Sequence, residues 1–161
     1  MDCLVPMPPS VPEFGKFEAD AEYHLRPGGY AVIRRAGGEI AAVVTPGGCF
    51  LPGGGQEPNE SAEEAAIRET REECGLQIAL VDEIGAAEEL VYFAQEQKHY
   101  RKWCVFFRAR VIVENLATAE PDHALVWLDS SEALTQLTLG SQRWAVGVKD
   151  TPLSRRSHRS T

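Results

Sequence analysis

The chain has 161 residues, of which 43% are hydrophobic and 25% are charged, as is ordinary for a single globular domain. No stretch approaches the ~20 consecutive apolar residues of a membrane span, and the N-terminus lacks a basic segment followed by an apolar one, so we expect neither a membrane partner nor a secretory signal. The net charge of −8 argues against stable nucleic-acid binding, which depends on Lys and Arg neutralising phosphates.

The two ends of the chain differ in composition from its middle. Residues 1–20 contain four prolines and no sustained periodicity, which predicts an irregular N-terminal arm. Residues 21–150 are the predicted domain, and the terminal residues 151–161, rich in Ser and Arg, are predicted to be disordered. Four scattered cysteines form no CxxC pair, so we expect reduced thiols in a cytoplasmic protein, with a disulfide or zinc site as the alternative: Cys3, Cys49, Cys74 and Cys104.

The predicted elements begin with two β-rich runs. Residues 29–35 and 39–45 are separated by Ala36-Gly37-Gly38, which predicts a hairpin. Residues 46–55 then form a glycine-dense loop where backbone can approach a ligand closely. A helix is predicted from Ser61 to Cys74, because Ser61 and Glu64 fit a capping box and Gly75 can end the helix.

The second half of the chain predicts strands followed by short helices. Strand-like runs cover residues 76–93 and 102–113, with a polar, basic connection at residues 95–101. A short strand is predicted at 125–128, and short helices at 131–137 and 141–148. The mixture predicts an α/β sandwich with the glycine loop and the first long helix at its centre.

The long helix carries three carboxylates on one face. Glu69, Glu72 and Glu73 fall at i, i+3 and i+4, and the face continues towards the helix start as a stripe of alanines: Ala62, Ala65 and Ala66. Small residues allow tight packing on a sheet, which would bring the glutamates into a cleft. The alternative is a solvated acidic end, but like charges at this spacing cost ~0.2–0.5 kcal/mol per pair and oppose the helix dipole. A cation such as Mg²⁺ removes both penalties.

These glutamates belong to a longer pattern. Gly54, Glu60 and residues 68–76 match G-x5-E-x7-R-E-U-x-E-E-x-G-U, in which U is usually aliphatic. The pattern resembles the Nudix box of the Nudix hydrolases. Thr70 stands at the first U position, where we expect an effect on packing only. The resemblance covers the box itself, and it implies an α/β/α sandwich with a mixed central sheet, over roughly residues 20–150, and a loop–helix–loop box.

The resemblance also implies roles for the box residues. Glu69, Glu72 and Glu73 look like the ligands of Mg²⁺, for which Mn²⁺ is a possible substitute. Arg68 resembles the arginine that orients a catalytic carboxylate; an ion pair with Glu64 is the alternative. Three residues would shape the box: Glu60 as a brace of the loop, Gly54 as a sharp turn and Gly75 as the helix end.

The proton acceptor has several candidates. Glu72 and Glu73 are catalytic candidates within the box. In many members of the family the base or a further ligand instead lies on a loop before a late strand, where this chain has Glu120, Asp122 and His123. The alternative for these three is an exposed polar loop.

Substrate binding is predicted at two places. Gly53 and Gly54 can bring backbone close to a ligand. The basic segment 98–103 offers Arg101 for a phosphate and Tyr100 or Trp103 for stacking on a base; a solvated hairpin tip with Trp103 in the core is the alternative. Phe50 is a weaker stacking candidate, and Trp127 and Trp144 are predicted to be core residues.

The resemblance implies a Mg²⁺-dependent pyrophosphohydrolase that cleaves a nucleoside diphosphate linked to another moiety, such as a nucleoside triphosphate or a nucleotide sugar. Its partner would be a small nucleotide-type molecule, and a homodimer through an edge strand or the N-terminal arm stays open. The alternative function is a Nudix-fold sensor or partner module that binds a nucleotide without effective catalysis. Because fold alone would not establish activity, the complete box is the feature that favours the enzyme.

Overall fold

A computed structural model describes residues 10–149, so the predicted tail 151–161 and the first nine residues of the predicted arm lie outside the described residues. The described chain forms, in order, β1 (Glu13–Phe14), β2 (Tyr23–Ile33), β3 (Ile40–Thr45), β4 (Gly48–Phe50), β5 (Gly53–Gly55), α1 (Ala62–Cys74), β6 (Gln77–Phe93), β7 (Lys98–Val113), β8 (Ala124–Leu128), α2 (Ser130–Gln136) and α3 (Gly140–Gly147). Within residues 10–149, none of the helices has the length and hydropathy to cross a bilayer.

The strands form two sheets. The larger sheet has the order β1-β6-β7-β2-β5, and the smaller one has the order β4-β3-β8. The larger sheet is mixed, because β6 and β7 form a long antiparallel pair whereas β2 runs parallel to β7 along its whole length. Part of the predicted irregular arm is ordered as β1, which pairs with β6 in a short parallel ladder.

The second half of β2, residues 28–33, is buried on both faces and separates two hydrophobic cores. Tyr30 and Val32 belong to one cluster, together with residues of β7, α2 and α3. Ala31 and Ile33 belong to the other, which includes Cys74 at the end of α1. Since successive side chains of a strand point to opposite faces, one strand supplies both cores. The result is the predicted sandwich, with α1 on one face and α2 and α3 on the other. Trp144 packs against the first core and Trp127 against the second, as expected.

The helix α1 begins and ends where the sequence predicts. The Ser61 side chain accepts a hydrogen bond from the Glu64 N–H, and the Gly75 N–H donates to Arg71 O. Thr70 is fully buried, and its hydroxyl donates to Ala66 O at 2.6 Å, so a polar side chain is satisfied at the usually aliphatic position. Thr70 therefore packs in the interior, and its effect on packing alone stays a prediction.

Two predicted features are corrected. The chain does turn between β2 and β3, where the Arg35 N–H donates to Glu39 O, but the two strands share only the Arg34–Ile40 bridge and enter different sheets. No hairpin forms because β7 and β5 already take the two edges of β2. The basic connection is also shorter than predicted, since residues 94–97 make the turn and Lys98 already begins β7.

Gly75 gives a direct test of the packing behind α1. Its φ of 65° is left-handed, and a Cβ there would lie 2.3 Å from Leu116 O, which is backbone and cannot rotate away. We expect Gly75→Ala to lower the free energy of unfolding by about 2–4 kcal/mol in urea titrations. Gly37→Ala is the control, because a Cβ at Gly37 meets nothing closer than 3.8 Å. Equal urea midpoints for the two variants would contradict this account.

Three of the four cysteines lie in the described residues, and all three are free: Cys49, Cys74 and Cys104. The fourth, Cys3, lies outside the described residues. The thiols of Cys74 and Cys104 are buried, which raises their pKa to about 12 and about 11. They are therefore protonated, apolar core groups at neutral pH.

Candidate active site

The last turns of α1 face the glycine strand β5. Glu73 is only 9% exposed, and its Oε1 accepts a hydrogen bond of 2.9 Å from the Gly53 N–H. One residue later, a Cβ on Gly54 would lie 2.7 Å from the carboxylate carbon of Glu69. A Cβ at Gly54 would displace the Glu69 carboxylate from this position, so β5 and α1 bring two of the predicted ligands against bare backbone.

Arg68 connects the loop before α1 to the glutamates on it. Its Nε and Nη2 donate to the two oxygens of Glu60 at 2.7 and 2.9 Å, and its Nη1 donates to Glu69 at 3.0 Å and to Glu72 at 3.1 Å. Nη2 also donates to Gly55 O at 3.2 Å. This guanidinium holds the pKa of Glu60 below its usual value. The bidentate geometry is the strong form of such a contact, so Glu60 and Arg68 together hold the loop onto the helix.

The alternative partner of Arg68 is engaged elsewhere. Glu64 Oε1 accepts a hydrogen bond of 3.1 Å from the Ser61 hydroxyl at the start of α1. The described ion pairs of Arg68 are with Glu57, Glu60, Glu69 and Glu72. The structure therefore places Arg68 among the box carboxylates.

The loop before β8 meets the same end of α1. The Ala119 N–H donates to Glu72 O at 2.9 Å, which fixes the loop on the helix. Beyond it, His123 Nε2 lies 3.5 Å from Glu73 Oε2, and Nδ1 lies 4.0 Å from Glu120 Oε2. The buried Nδ1 has no hydrogen-bond partner among residues 10–149. The structure thus brings the predicted loop residues to the box, with His123 nearest to Glu73.

Negative charge is crowded at this end of the helix. Burial, with repulsion from Glu69, Glu120 and Glu72, raises the pKa of Glu73 to about 8, although the Gly53 N–H opposes the shift. Burial also raises the pKa of Glu69, against the opposing effect of Arg68. Arg68 pairs with four carboxylates, and the charges of Glu69, Glu72 and Glu120 also act on Glu73, so a further positive charge would be stabilised here.

The donor set fits a hard divalent cation, since carboxylate oxygens are the ligands that Mg²⁺ prefers. In the described part of the chain, no three acidic, His or Cys side chains already converge in ligand geometry. Arg68 instead takes an oxygen of Glu69 and an oxygen of Glu72. These two side chains would therefore have to shift towards Glu73 to hold a metal together with it, and each has a second oxygen that Arg68 does not take.

A cleft of about 750 Å³ runs from the glutamates to the larger sheet. It begins at Glu73 and His123, passes the backbone of β5, and ends on the face of β2 and β7. Several predicted residues line it: Gly53, Gly54, Tyr100, Asp122 and Phe50. Pockets of this size accommodate ligands as large as a nucleotide.

Arg101, predicted to bind a phosphate, does not line the cleft. Its Nη1 pairs with Glu88 at 2.9 Å and lies 3.7 Å from Glu13. Because alternate residues of β7 face opposite sides, Tyr100 and Lys102 point into the cleft and Arg101 points away from it. Trp103, on the side of Arg101, is half-buried.

Lys102, from the predicted basic segment, also lines the cleft, together with residues that were not predicted from the sequence, among them Arg26, Tyr30 and Gln142. Gln142, in α3, accepts a hydrogen bond of 2.8 Å from the Leu51 N–H and so ties that helix to the glycine loop. If residues 98–103 are taken as a strand, the alternation of its side chains places Lys102 on the same face as Tyr100. Arg26 carries no such signal, because its place depends on the register between β2 and β7.

Comparison with known proteins gives a consistent result. The model of the NUDIX domain family matches residues 24–146. Among solved structures, the chain is similar to the MutT protein from Methanosarcina mazei Go1 (25% identity, TM-score 0.61, covering 78% of this chain and 92% of that one). It is also similar to the MutT NUDIX hydrolase from Burkholderia pseudomallei (27% identity, TM-score 0.58, covering 79% of this chain and 99% of that one). A NUDIX hydrolase from Nitrosomonas europaea shares the fold (19% identity, TM-score 0.62, covering 76% of this chain and 86% of that one). No curated protein sequence gives a significant match.

Proposed function

Since the chain belongs to the NUDIX family and is a Nudix-type hydrolase, we propose that it is a Mg²⁺-dependent pyrophosphohydrolase. Its substrate would be a nucleoside diphosphate linked to another moiety, and Mn²⁺ would substitute for Mg²⁺. The observation that supports this proposal most is that Glu73 lines one end of a nucleotide-sized cleft, with Glu69 and Glu72 next to it on α1 and the bare backbone of β5 against Glu69 and Glu73. Carboxylates this close to one another repel, and a divalent cation bound by their oxygens removes that repulsion.

The box residues then have distinct tasks. Glu69, Glu72 and Glu73 supply oxygen donors, and the Gly53 N–H keeps Glu73 pointed at the cleft. A divalent cation, when bound, supplies positive charge to the diphosphate and makes water more acidic. Arg68 positions Glu72 and Glu69 through its two shared hydrogen bonds. Glu60 positions Arg68 in turn.

The reaction needs a proton acceptor within hydrogen-bond reach of the attacking water. We propose Glu72 or Glu120, because both are on the open side of the cluster, with side chains 37% and 45% exposed. The oxygen of water attacks phosphorus, its proton passes to the carboxylate, and the P–O bond of the anhydride breaks. The departing group leaves as a phosphorylated product.

The test is a substrate panel with product analysis. The purified chain is incubated with nucleoside triphosphates, nucleotide sugars and dinucleoside polyphosphates, in Mg²⁺ and in EDTA. We expect Mg²⁺-dependent release of a nucleoside monophosphate or another phosphorylated product from at least one class. Binding of these compounds without any turnover would contradict the proposal and favour the alternative, a nucleotide-binding sensor or partner module.

A further inference from the structure

The far end of the cleft carries two cations side by side. Arg26 of β2 and Lys102 of β7 are direct neighbours in the parallel register, and both line the cleft. The Arg26 guanidinium lies 5.1 Å from the centre of the Tyr100 ring, and Lys102 Nζ lies 5.0 Å from the centre of the Tyr30 ring. Two cations next to each other on a sheet repel, so this arrangement costs stability unless an anion lies between them.

Neither cation is paired with a carboxylate within residues 10–149, whereas other arginines of the sheet are. Arg108, for example, pairs with Asp82 at 3.1 Å, and Arg101 pairs with Glu88. The carboxylate in register with Lys102 is Glu89, but Glu89 is buried and its Oε1 accepts from the Ser141 N–H at 3.0 Å. No described carboxylate therefore neutralises Arg26 or Lys102, and the side chain to which Lys102 is hydrogen-bonded is the neutral Tyr30.

The strand β5 relates this pair to the acidic end of the cleft. A Cβ on Gly55 would lie 3.3 Å from Arg26 Nε, whereas a Cβ on Gly54 would meet the Glu69 carboxylate. Consecutive glycines thus touch an acidic side chain and a basic one. A ligand whose diphosphate lies at the glutamates and which follows the cleft past β5 reaches Arg26 and Lys102.

We propose that Arg26 and Lys102 form a binding site for a second anionic group, a phosphoryl or carboxylate group carried by the part of the substrate remote from the diphosphate. That this group belongs to a substrate rests on the proposed function, whereas the binding of an anion by Arg26 and Lys102 requires no metal. Arginine and lysine only donate hydrogen bonds, so the site selects an acceptor, and an anion is the acceptor that also removes their mutual repulsion. The substrate class is thereby narrowed to nucleoside diphosphate derivatives with an acidic distal group.

The test measures binding without turnover. In EDTA, calorimetry compares two matched pairs of compounds: UDP-glucuronic acid with UDP-glucose, and NADPH with NADH. Within each pair the first compound carries the extra anion. We expect it to bind about 10–100-fold more tightly, as one or two charge-assisted hydrogen bonds would produce. Arg26→Gln and Lys102→Met should each remove most of this preference. Lys98→Met, an exposed lysine of β7 that does not line the cleft, should keep it.

Equal binding within both pairs by the unmodified protein would overturn the proposal. So would a preference that persists in both variants, or variants that weaken both members of each pair equally, since the cations would then bind the diphosphate itself. Arg26 is exposed on its strand, so Arg26→Gln keeps the test decisive even if Lys102→Met fails to fold. The binding experiment uses neither Mg²⁺ nor hydrolysis, so equal binding within the pairs would leave the proposed hydrolase activity untouched. Conversely, a protein that hydrolyses none of the panel but still prefers the compound with the extra anion would overturn only the proposed hydrolase activity.

Discussion

Glu73→Gln should lower kcat by about 10²–10³-fold, because removing one carboxylate donor forfeits several kcal/mol of charge stabilisation in the transition state. Glutamine is nearly isosteric, and its side-chain oxygen can still accept the hydrogen bond from the Gly53 N–H that holds Glu73 in place. The loss should therefore come from the missing charge and not from a displaced loop.

This prediction is checked by steady-state kinetics with the best substrate of the panel, over a range of Mg²⁺ concentrations. Glu63→Gln is the matched control, because Glu63 lies in the first turn of the same helix and is exposed. The control should keep nearly full activity. If Glu73→Gln were restored to normal kcat by more Mg²⁺, or if the control lost as much, the assigned role of Glu73 would be wrong.

The same substitution should stabilise the protein when no metal is present. The carboxyl of Glu73 has a pKa of about 8 in the folded chain, against an ordinary value of 4.5, mainly because it is buried. Below pH 4.5 the group is protonated in both states and costs nothing. Between pH 4.5 and pH 8 the unfolded chain releases the proton and the folded chain retains it, so folding stability falls as pH rises. Above pH 8 the penalty is complete, on the order of 3–5 kcal/mol.

Urea unfolding in EDTA measures this effect. We expect Glu73→Gln and the unmodified protein to have similar stabilities near pH 4.5, and the variant to be more stable by a few kcal/mol at pH 8.5. Mg²⁺ should reverse the order by stabilising the unmodified protein alone, since a ligand that binds only the folded state adds to its stability. A stability difference that did not change between the two pH values would contradict the raised pKa.

The parts of the fold that were predicted correctly are encoded by neighbouring residues. The limits of α1 follow from Ser61 and Gly75, which act on the backbone within one turn. The long strands β6 and β7 follow from continuous β-forming runs. Each of these signals lies within a few residues of the feature that it predicts.

The parts that were missed depend on residues far apart in sequence. Residues 29–35 and 39–45 are two β-rich runs joined by a glycine-containing turn, which is the local pattern of a hairpin. In the structure, however, β2 pairs with β7, and β3 pairs with β8. The choice between Arg101 and Lys102 is of the same kind, because strand alternation has a known period but its phase is set by register. Glu60 also reaches Arg68, eight positions further along the chain, and because Glu60 lies before the helix no helical spacing predicts that contact.

The parallel pairing of β2 with β7 has a consequence for the order of folding. β6 and β7 are joined by a four-residue turn and form a hairpin from chain neighbours, whereas Tyr23 must find His99 from the other half of the chain. Closing so long a loop is entropically costly, so non-local pairs of this kind form late. Arg26 and Lys102 come together only in that step, and pulsed amide exchange during refolding should show protection of β2 after that of β6.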